Sequence, residues 1–353
     1  MLNRKTIPEL LHNTTLIQHP VLAVNIQKCD LHLLKKFCNI LINNSIVSHL
    51  CIFGPSDPNS LSDDETNLII NKICLLIKKT SKIKYLSLRI INNKTKYFYK
   101  IFDAISLNNS ISELDLHALT FYDDDICGLK KIEKIQKLNL QDILIVNSPN
   151  LIDLVNSFLH PNIKSLTLNN IHATTFENTT SNLIESQILS QLVTNVSIDE
   201  LSLVLKPENT ANIVEIIKKN NKITNLCLHN TSATVDINSI HRALLSNKTI
   251  VELEIIHESI LNTNLETIID IIDNNSTLQI IKLNSLVCTH SELNELINQM
   301  YIRTEGGFLR LLMGKTNATP PTIYLNIADF TDFDKEQVQN KIKELKLTKY
   351  FVY

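Results

Sequence analysis

Tryptophan is absent from the 353 residues, glycine occurs five times, methionine three times, and aromatic residues make up only 5 %. So little glycine leaves scant material for loops that bring backbone close to a nucleotide phosphate. No apolar run reaches the roughly 18 residues of a membrane-spanning helix, so none is expected. The start, Met1-Leu2-Asn3-Arg4-Lys5-Thr6-Ile7-Pro8-Glu9, also lacks the apolar stretch of a signal peptide, and a soluble, cytoplasmic chain is expected. An excess of either charge is missing as well: 34 Lys and Arg face 36 Asp and Glu, a formal net charge of −2. Nucleic acids and anionic membranes are held largely by basic residues, so neither is an expected partner. The seven cysteines, Cys29, Cys38, Cys51, Cys74, Cys127, Cys227 and Cys288, are odd in number and contain no Cys-x-x-Cys pair. That spacing suits reduced thiols better than a disulfide framework or a zinc site.

What the chain does have is leucine and isoleucine in a recurring phrase: apolar, two variable residues, Leu, one variable, Leu. It reads Ile83-x-x-Leu86-x-Leu88, Ile111-x-x-Leu114-x-Leu116, Ile135-x-x-Leu138-x-Leu140 and Ile163-x-x-Leu166-x-Leu168. It continues as Ile198-x-x-Leu201-x-Leu203, Ile223-x-x-Leu226-x-Leu228, Ile250-x-x-Leu253-x-Ile255 and Leu278-x-x-Ile281-x-Leu283. Upstream copies stand at Val47-x-x-Leu50-x-Ile52 and Val21-x-x-Val24-x-Ile26, and a degenerate late one at Thr322-x-x-Leu325-x-Ile327. From Leu86 to Ile281 the central residues follow one another at 28, 24, 28, 35, 25, 27 and 28 residues. A repeat of this length signals a stacked architecture, because one unit cannot bury its own apolar face.

In Leu-x-Leu both leucines lie on one face of a strand, since side chains alternate with period two. Between phrases the period becomes helical, as in Leu151, Leu154, Val155 and Phe158, or Leu265, Ile268, Ile269 and Ile272. Helix starts are marked by Ser148-Pro149, by the capping boxes Ser62-x-x-Glu65 and Thr263-x-x-Glu266, and by the acidic run Asp123-Asp124-Asp125. Asn-rich corners precede the strands: Asn43-Asn44-Ser45, Asn108-Asn109-Ser110, Asn220-Asn221-Lys222, Asn247-Lys248-Thr249 and Asn274-Asn275-Ser276. Asn tolerates the left-handed conformation that ends a helix, and these corners are expected to use it.

The phrase after a helix, at about 28 residues, resembles the leucine-rich repeats of the ribonuclease-inhibitor type from about residue 20 to 290. The resemblance implies an α/β solenoid, a horseshoe with a concave parallel sheet and convex helices. It implies a protein-binding role and names no partner. One departure stands out. Where that family carries Asn or Cys three positions after the second Leu, this chain has Ile91, Leu119, Ile143, Ile171, Thr231, Glu258 and Leu286. The family's polar ladder must be missing or rerouted, and looser, less uniform turns are expected. The excess of Asn, Ile and Lys suggests an AT-rich genome, and irregular repeats of this composition resemble those of Legionella-like intracellular pathogens, whose effectors act in the host cytosol.

Counting each strand from its first apolar residue, the third, fifth and seventh positions face away from the core. Tyr85, Arg89, Glu113, Asp115, His117, Lys137 and Asn139 fall there, and with their aromatic, Arg and charged members they form the expected partner-binding patch. An ordinary solvated sheet face would carry similar residues. Glu113, Asp115 and His117 share one face at roughly 6–7 Å intervals, wide for a single metal ion, and no metal or cofactor is expected. Cys227 and His229 lie side by side on an open strand without an oxyanion donor, which argues against a thiol nucleophile. Gly314-Lys315-Thr316 mimics the end of a phosphate loop, but Leu309 stands where that loop needs Gly.

Residues 1–20, with Ile7, Leu10 and Leu11, read as an amino-terminal cap, 21–288 as about ten repeats, and 289–353 as a degenerate repeat and carboxy-terminal cap. In the last segment Leu293, Leu296, Ile297 and Met300 form a helical stripe, and a final helix runs from about Asp334 to Leu345 before Tyr350-Phe351-Val352-Tyr353, a tail that also suits a secretion signal. The expected function is a monomeric, non-enzymatic scaffold that binds a protein. Its rivals are an enzyme with a carboxy-terminal catalytic segment, where His290 is the only imidazole after residue 288, and a self-assembling structural protein.

Overall fold

The computed structural model describes residues 5–13, 17–26, 31–54, 62–89, 98–146, 155–174, 180–230, 236–257, 270–284, 322–325, 332–345 and 351–352, except 157, 182 and 272–273, with a few isolated positions between 294 and 348. Two compact units divide the chain, residues Met1–Ile188 and Leu189–Tyr353.

In the first unit, strands β1 (Lys5–Thr6), β2 (Val21–Asn25), β3 (His49–Phe53), β4 (Tyr85–Arg89), β5 (Glu113–His117), β6 (Thr120–Phe121), β7 (Lys137–Val146), β8 (Ser165–Thr174) and β9 (Thr180–Ser181) occur with helices α1 (Ile7–His12), α2 (Leu31–Ile42), α3 (Asp63–Lys79), α4 (Phe98–Ser106) and α5 (Asp123–Leu129). The parallel order is β1-β2-β3-β4-β5-β7-β8; β6 pairs with β7, and β9 runs antiparallel to β8. The unit boundary falls within α6 (Leu183–Leu192). The second unit holds β10 (Glu200–Leu205), β11 (Asn225–Asn230), β12 (Glu252–His257), β13 (Ile280–Asn284), β14 (Thr322–Leu325) and β15 (Phe351–Val352), all parallel in that order, with α7 (Thr210–Lys219), α8 (Ile237–Ser246) and α9 (Asp332–Glu344). The last helix starts two residues before its expected Asp334.

The phrase sets the register from Leu50 to Ile281, and the first and last copies are corrected by two residues: Leu22, not Val24, pairs with Leu50, and Ile323, not Leu325, pairs with Ile281. Leu22, Leu50, Leu86, Leu114, Leu138 and Leu166 are successive cross-strand partners in the first unit. Leu201, Leu226, Leu253, Ile281 and Ile323 are so in the second. None of these side chains is more than 4 % exposed. Each such burial is worth roughly 1.5–3 kcal/mol, so slipping one strand by a residue would forfeit a pair of them. The uneven spacing leaves this register intact, since extra residues are accommodated between strands. Ile255 departs from the pattern: it is half-buried where the phrase predicts a core residue. This is an α/β leucine-rich-repeat solenoid by its strand order, register and buried pairs.

Helices add the second half of the core. Leu34, Phe37, Cys38 and Leu41 of α2 and Phe98, Ile101, Phe102 and Ile105 of α4 are buried at helical spacing. Ser62 caps α3 as its sequence predicts, with Glu65 returning to the Ser62 backbone N–H at 2.8 Å. Phe98, Phe102 and Phe121 meet edge to face. Gly128 lets α5 close on α4, because a Cβ there would lie 3.0 Å from Phe102 Cβ and 3.1 Å from Tyr99 Cα. Asp125 is fully buried between those helices and accepts N–H bonds from Tyr99 at 2.6 Å and Tyr122 at 2.9 Å. The acidic run therefore opens a helix, as expected, and also ties two helices together.

The Asn corners are built differently from expectation. Asn220 and Asn247 have extended backbones, with φ/ψ of −74°/126° and −72°/139°, instead of left-handed ones. Their amides act as brackets between turns. Asn220 donates to the carbonyls of Leu192 and Asn195 and accepts from the N–H groups of Lys222 and Ile223. Asn108 makes the same four bonds, to Ile77 and Thr80 and from Ser110 and Ile111. Asn44, Asn247 and Asn275 repeat the motif. An amide suits this position because it supplies two donors and a two-lone-pair acceptor, matching the orphan carbonyls at a helix end and the N–H groups of the next corner. The family's polar ladder is thus rerouted to the helix-to-strand corner.

The turns after the strands are also more regular than expected where they are described. Leu119, Ile143 and Ile171 are buried. Ala118, Asp142 and Asn170 just before them share a left-handed φ of 55°, 53° and 59°. The expectation of looser turns fails here because buried apolar side chains fill the turn position where the resemblance implies a polar one. Ser148-Pro149, Thr263-x-x-Glu266, Leu265 to Ile269, the Gly314 segment and most of 289–315 lie outside the described residues.

Candidate protein-binding face

Positions that alternate with the core leucines form an open face, and the first unit concentrates polar chemistry on β4, β5 and β7. Parallel register sets Tyr85 beside Glu113 and Ser87 beside Asp115, then Glu113 beside Lys137, Asp115 beside Asn139 and His117 beside Gln141. Six of the seven expected patch residues are half-buried; Lys137 is exposed.

Asp115 is the hub. Its Oδ2 accepts both the Ser87 hydroxyl at 2.7 Å and the Tyr85 hydroxyl at 3.0 Å. The Tyr85 phenol is held well above its ordinary range by burial first and the Asp115 charge second, so it stays a donor. Its ring centroid lies 5.6 Å from that of His49. Tyr85, expected as a member of the partner-binding patch, is partly committed to orienting Asp115. Among the described residues no cation forms an ion pair with Asp115, and its Oδ1 is buried without a hydrogen-bond partner.

His117 stands two residues further on the same face. Its Nε2 lies 3.4 Å from Asp142 Oδ2, with the His117 side chain 13 % exposed. Burial, followed by the Arg89 charge, pushes its pKa down, which favours the neutral ring, and the Asp142 carboxylate beside Nε2 favours the tautomer with its proton there. Nδ1 then carries a bare lone pair, and it too is buried and unpartnered, as is Asn139 Oδ1. Beyond it, Asp142 Oδ1 accepts from Asn170 Nδ2 at 2.8 Å, and Asn170 Oδ1 meets His172 Nε2 at 2.5 Å.

Ser87, Asp142 and Asn170 were not in the expected patch. Ser87 was findable, because register places it beside Asp115. Asp142 and Asn170 owe their positions to the left-handed turn, which no local motif marks. Glu113, Lys137 and Arg89 are on the face as expected and make no ion pair among the described residues.

The second unit's open face closes on itself. Ser202 Oγ and Cys227 Sγ approach His229 Nε2 at 3.2 and 3.4 Å, and Lys282 forms an ion pair with Glu252. Burial pushes the Cys227 thiol up to about 11, which leaves it protonated and a poor nucleophile. Among the described residues no group of three His, Cys, Asp or Glu is placed to hold a metal ion. No helix among them is long and apolar enough to cross a membrane.

No family model and no curated protein matches the chain. A crystal structure of the leucine-rich repeat-containing protein LegL7 from Legionella pneumophila is similar at 13 % identity over 91 % of this chain and 97 % of that one, with a TM-score of 0.48. The strand order and register described above establish the fold independently of that likeness.

Proposed function

We propose that this leucine-rich-repeat solenoid is a non-enzymatic scaffold that binds a protein across β4, β5 and β7 of its first unit. The observation that carries the reading is the half-buried Asp115 carboxylate, oriented by two hydroxyls and without an ion-pair partner among the described residues. A desolvated, unpaired charge is costly in the free chain, and a complementary partner group removes that cost. Tyr85, Arg89, Glu113, His117, Lys137 and Asn139 surround it with aromatic, cationic and amide groups of the sort that dominate binding energy at protein interfaces. The further reading, an effector secreted by an intracellular bacterium into host cytosol, is supported by composition alone.

Affinity capture from a host-cell lysate, comparing wild type with Tyr85→Ala/Arg89→Ala, tests the site. Proteins retained by wild type and lost by the double variant are the expected result. Identical retained sets would discard the patch. Capture by neither would remove the interaction reading.

A further inference from the structure

Three buried polar atoms on the open face of the first unit share one property: Asp115 Oδ1, Asn139 Oδ1 and His117 Nδ1 are all acceptors, and none has a donor. They are neighbours. Asp115 and Asn139 are register partners on adjacent strands, about 5 Å apart at Cα. His117 follows Asp115 by two residues on the same face, about 7 Å along the strand. Buried polar groups are almost always paired, so three acceptors together without a donor describe the complement of a missing group.

That group must bring N–H or O–H donors to these three atoms, and a positive charge, because Asp115 forms no ion pair among the described residues. We propose that this face holds a primary ammonium group, carried by a lysine side chain of the protein partner, on Asp115, Asn139 and His117; the inference rests on the binding face proposed above. An ammonium has three donors about one nitrogen and no acceptor, which matches three acceptors drawn from two strands. An arginine fork presents its donors in one plane and suits a bidentate carboxylate, but Oδ2 of Asp115 is already occupied by Tyr85 and Ser87. Divalent hard cations prefer several charged oxygens, and here one carboxylate is joined by an amide and an imidazole. The three atoms are each buried, so the group that reaches them must be narrow. A slender, flexible lysine stem is suited to that.

The test titrates the full-length 15N-labelled chain with methylammonium chloride and, separately, tetramethylammonium chloride, which has equal charge and no N–H. The His117 ring nitrogens and the amides of 113–117 and 137–141 are the readout. Methylammonium should shift them saturably, tetramethylammonium should not, and Asp115→Asn should weaken the response about tenfold or more. Equal shifts from both salts, or from neither, overturn the site; the latter would mean that the Asn139 amide has turned its Nδ2 to Asp115 and closed the set. The source is tested on a partner captured through Tyr85 and Arg89: acetylating its lysines should abolish retention. Retention that survives acetylation removes the lysine and leaves the protein-binding face standing.

Discussion

The two open faces of this chain use the same strand positions and end in different states. On β10 to β13 the polar side chains answer one another, Ser202 and Cys227 with His229 and Lys282 with Glu252. On β4, β5 and β7 Asp115 collects two donors on one oxygen, while its other oxygen, His117 Nδ1 and Asn139 Oδ1 stay unanswered. A repeat fold provides one backbone many times over. What separates the two faces is whether the side chains of adjacent strands complete each other's hydrogen bonds.

The sharpest way to break that comparison is to show that the scaffolds themselves differ. Asn108→Ala in the first unit and Asn220→Ala in the second each remove a buried bracketing amide, with five and four side-chain hydrogen bonds respectively. Each should cost about 3 kcal/mol in urea unfolding. A difference above about 1 kcal/mol would mean that the corners are not equivalent brackets.

The next effect belongs to the first unit alone. Burial raises the Asp125 carboxyl from 3.8 to about 6 against the pull of the Tyr122 and Tyr99 N–H groups. A carboxyl whose folded pKa is raised binds its proton more tightly when folded, so its contribution is intact below about pH 4 and declines as pH rises through 6. Wild type should lose up to about 3 kcal/mol over that window relative to Asp125→Asn. Parallel stability curves for the two proteins would show that the two N–H bonds outweigh burial.

Smaller effects separate the faces. Asp115→Asn should change stability by less than about 1 kcal/mol, because no ion pair is lost, while it abolishes partner binding. Lys282→Ala should also cost under about 1 kcal/mol, as a partly exposed pair does, and leave binding unchanged. If Lys282→Ala weakened binding as much as Asp115→Asn, the distinction between faces would be lost. Smallest of all, Ala118→Gly should raise the unfolding midpoint by an equivalent of about 0.5–1 kcal/mol by relieving the left-handed φ. A loss of stability would show that the Ala118 methyl packs more than it strains.

The parts of this molecule legible beforehand are those that repeat. The Leu-x-Leu phrase placed the strands and their faces, and Ser62 and Asp123 placed helix starts, because these signals are local and depend on one residue's neighbours in sequence. The Asn corners are legible as helix ends but not as brackets: tolerance of left-handed backbone is a property of Asn alone, whereas the bracket it forms needs the carbonyls of the preceding turn. The Tyr85 bond to Asp115 is illegible for a similar reason, since it spans 30 residues. Asp142 and Asn170 stayed hidden because nothing in the sequence near them predicts the turn they occupy.

Hydrogen–deuterium exchange on the full chain, with and without a partner protein captured through Tyr85 and Arg89, bears most directly on the binding face. Added protection should concentrate on residues 85–89, 113–117 and 137–141. Protection confined to 200–205, 225–230 and 252–257, or to the helices, would place the partner elsewhere and contradict the assignment.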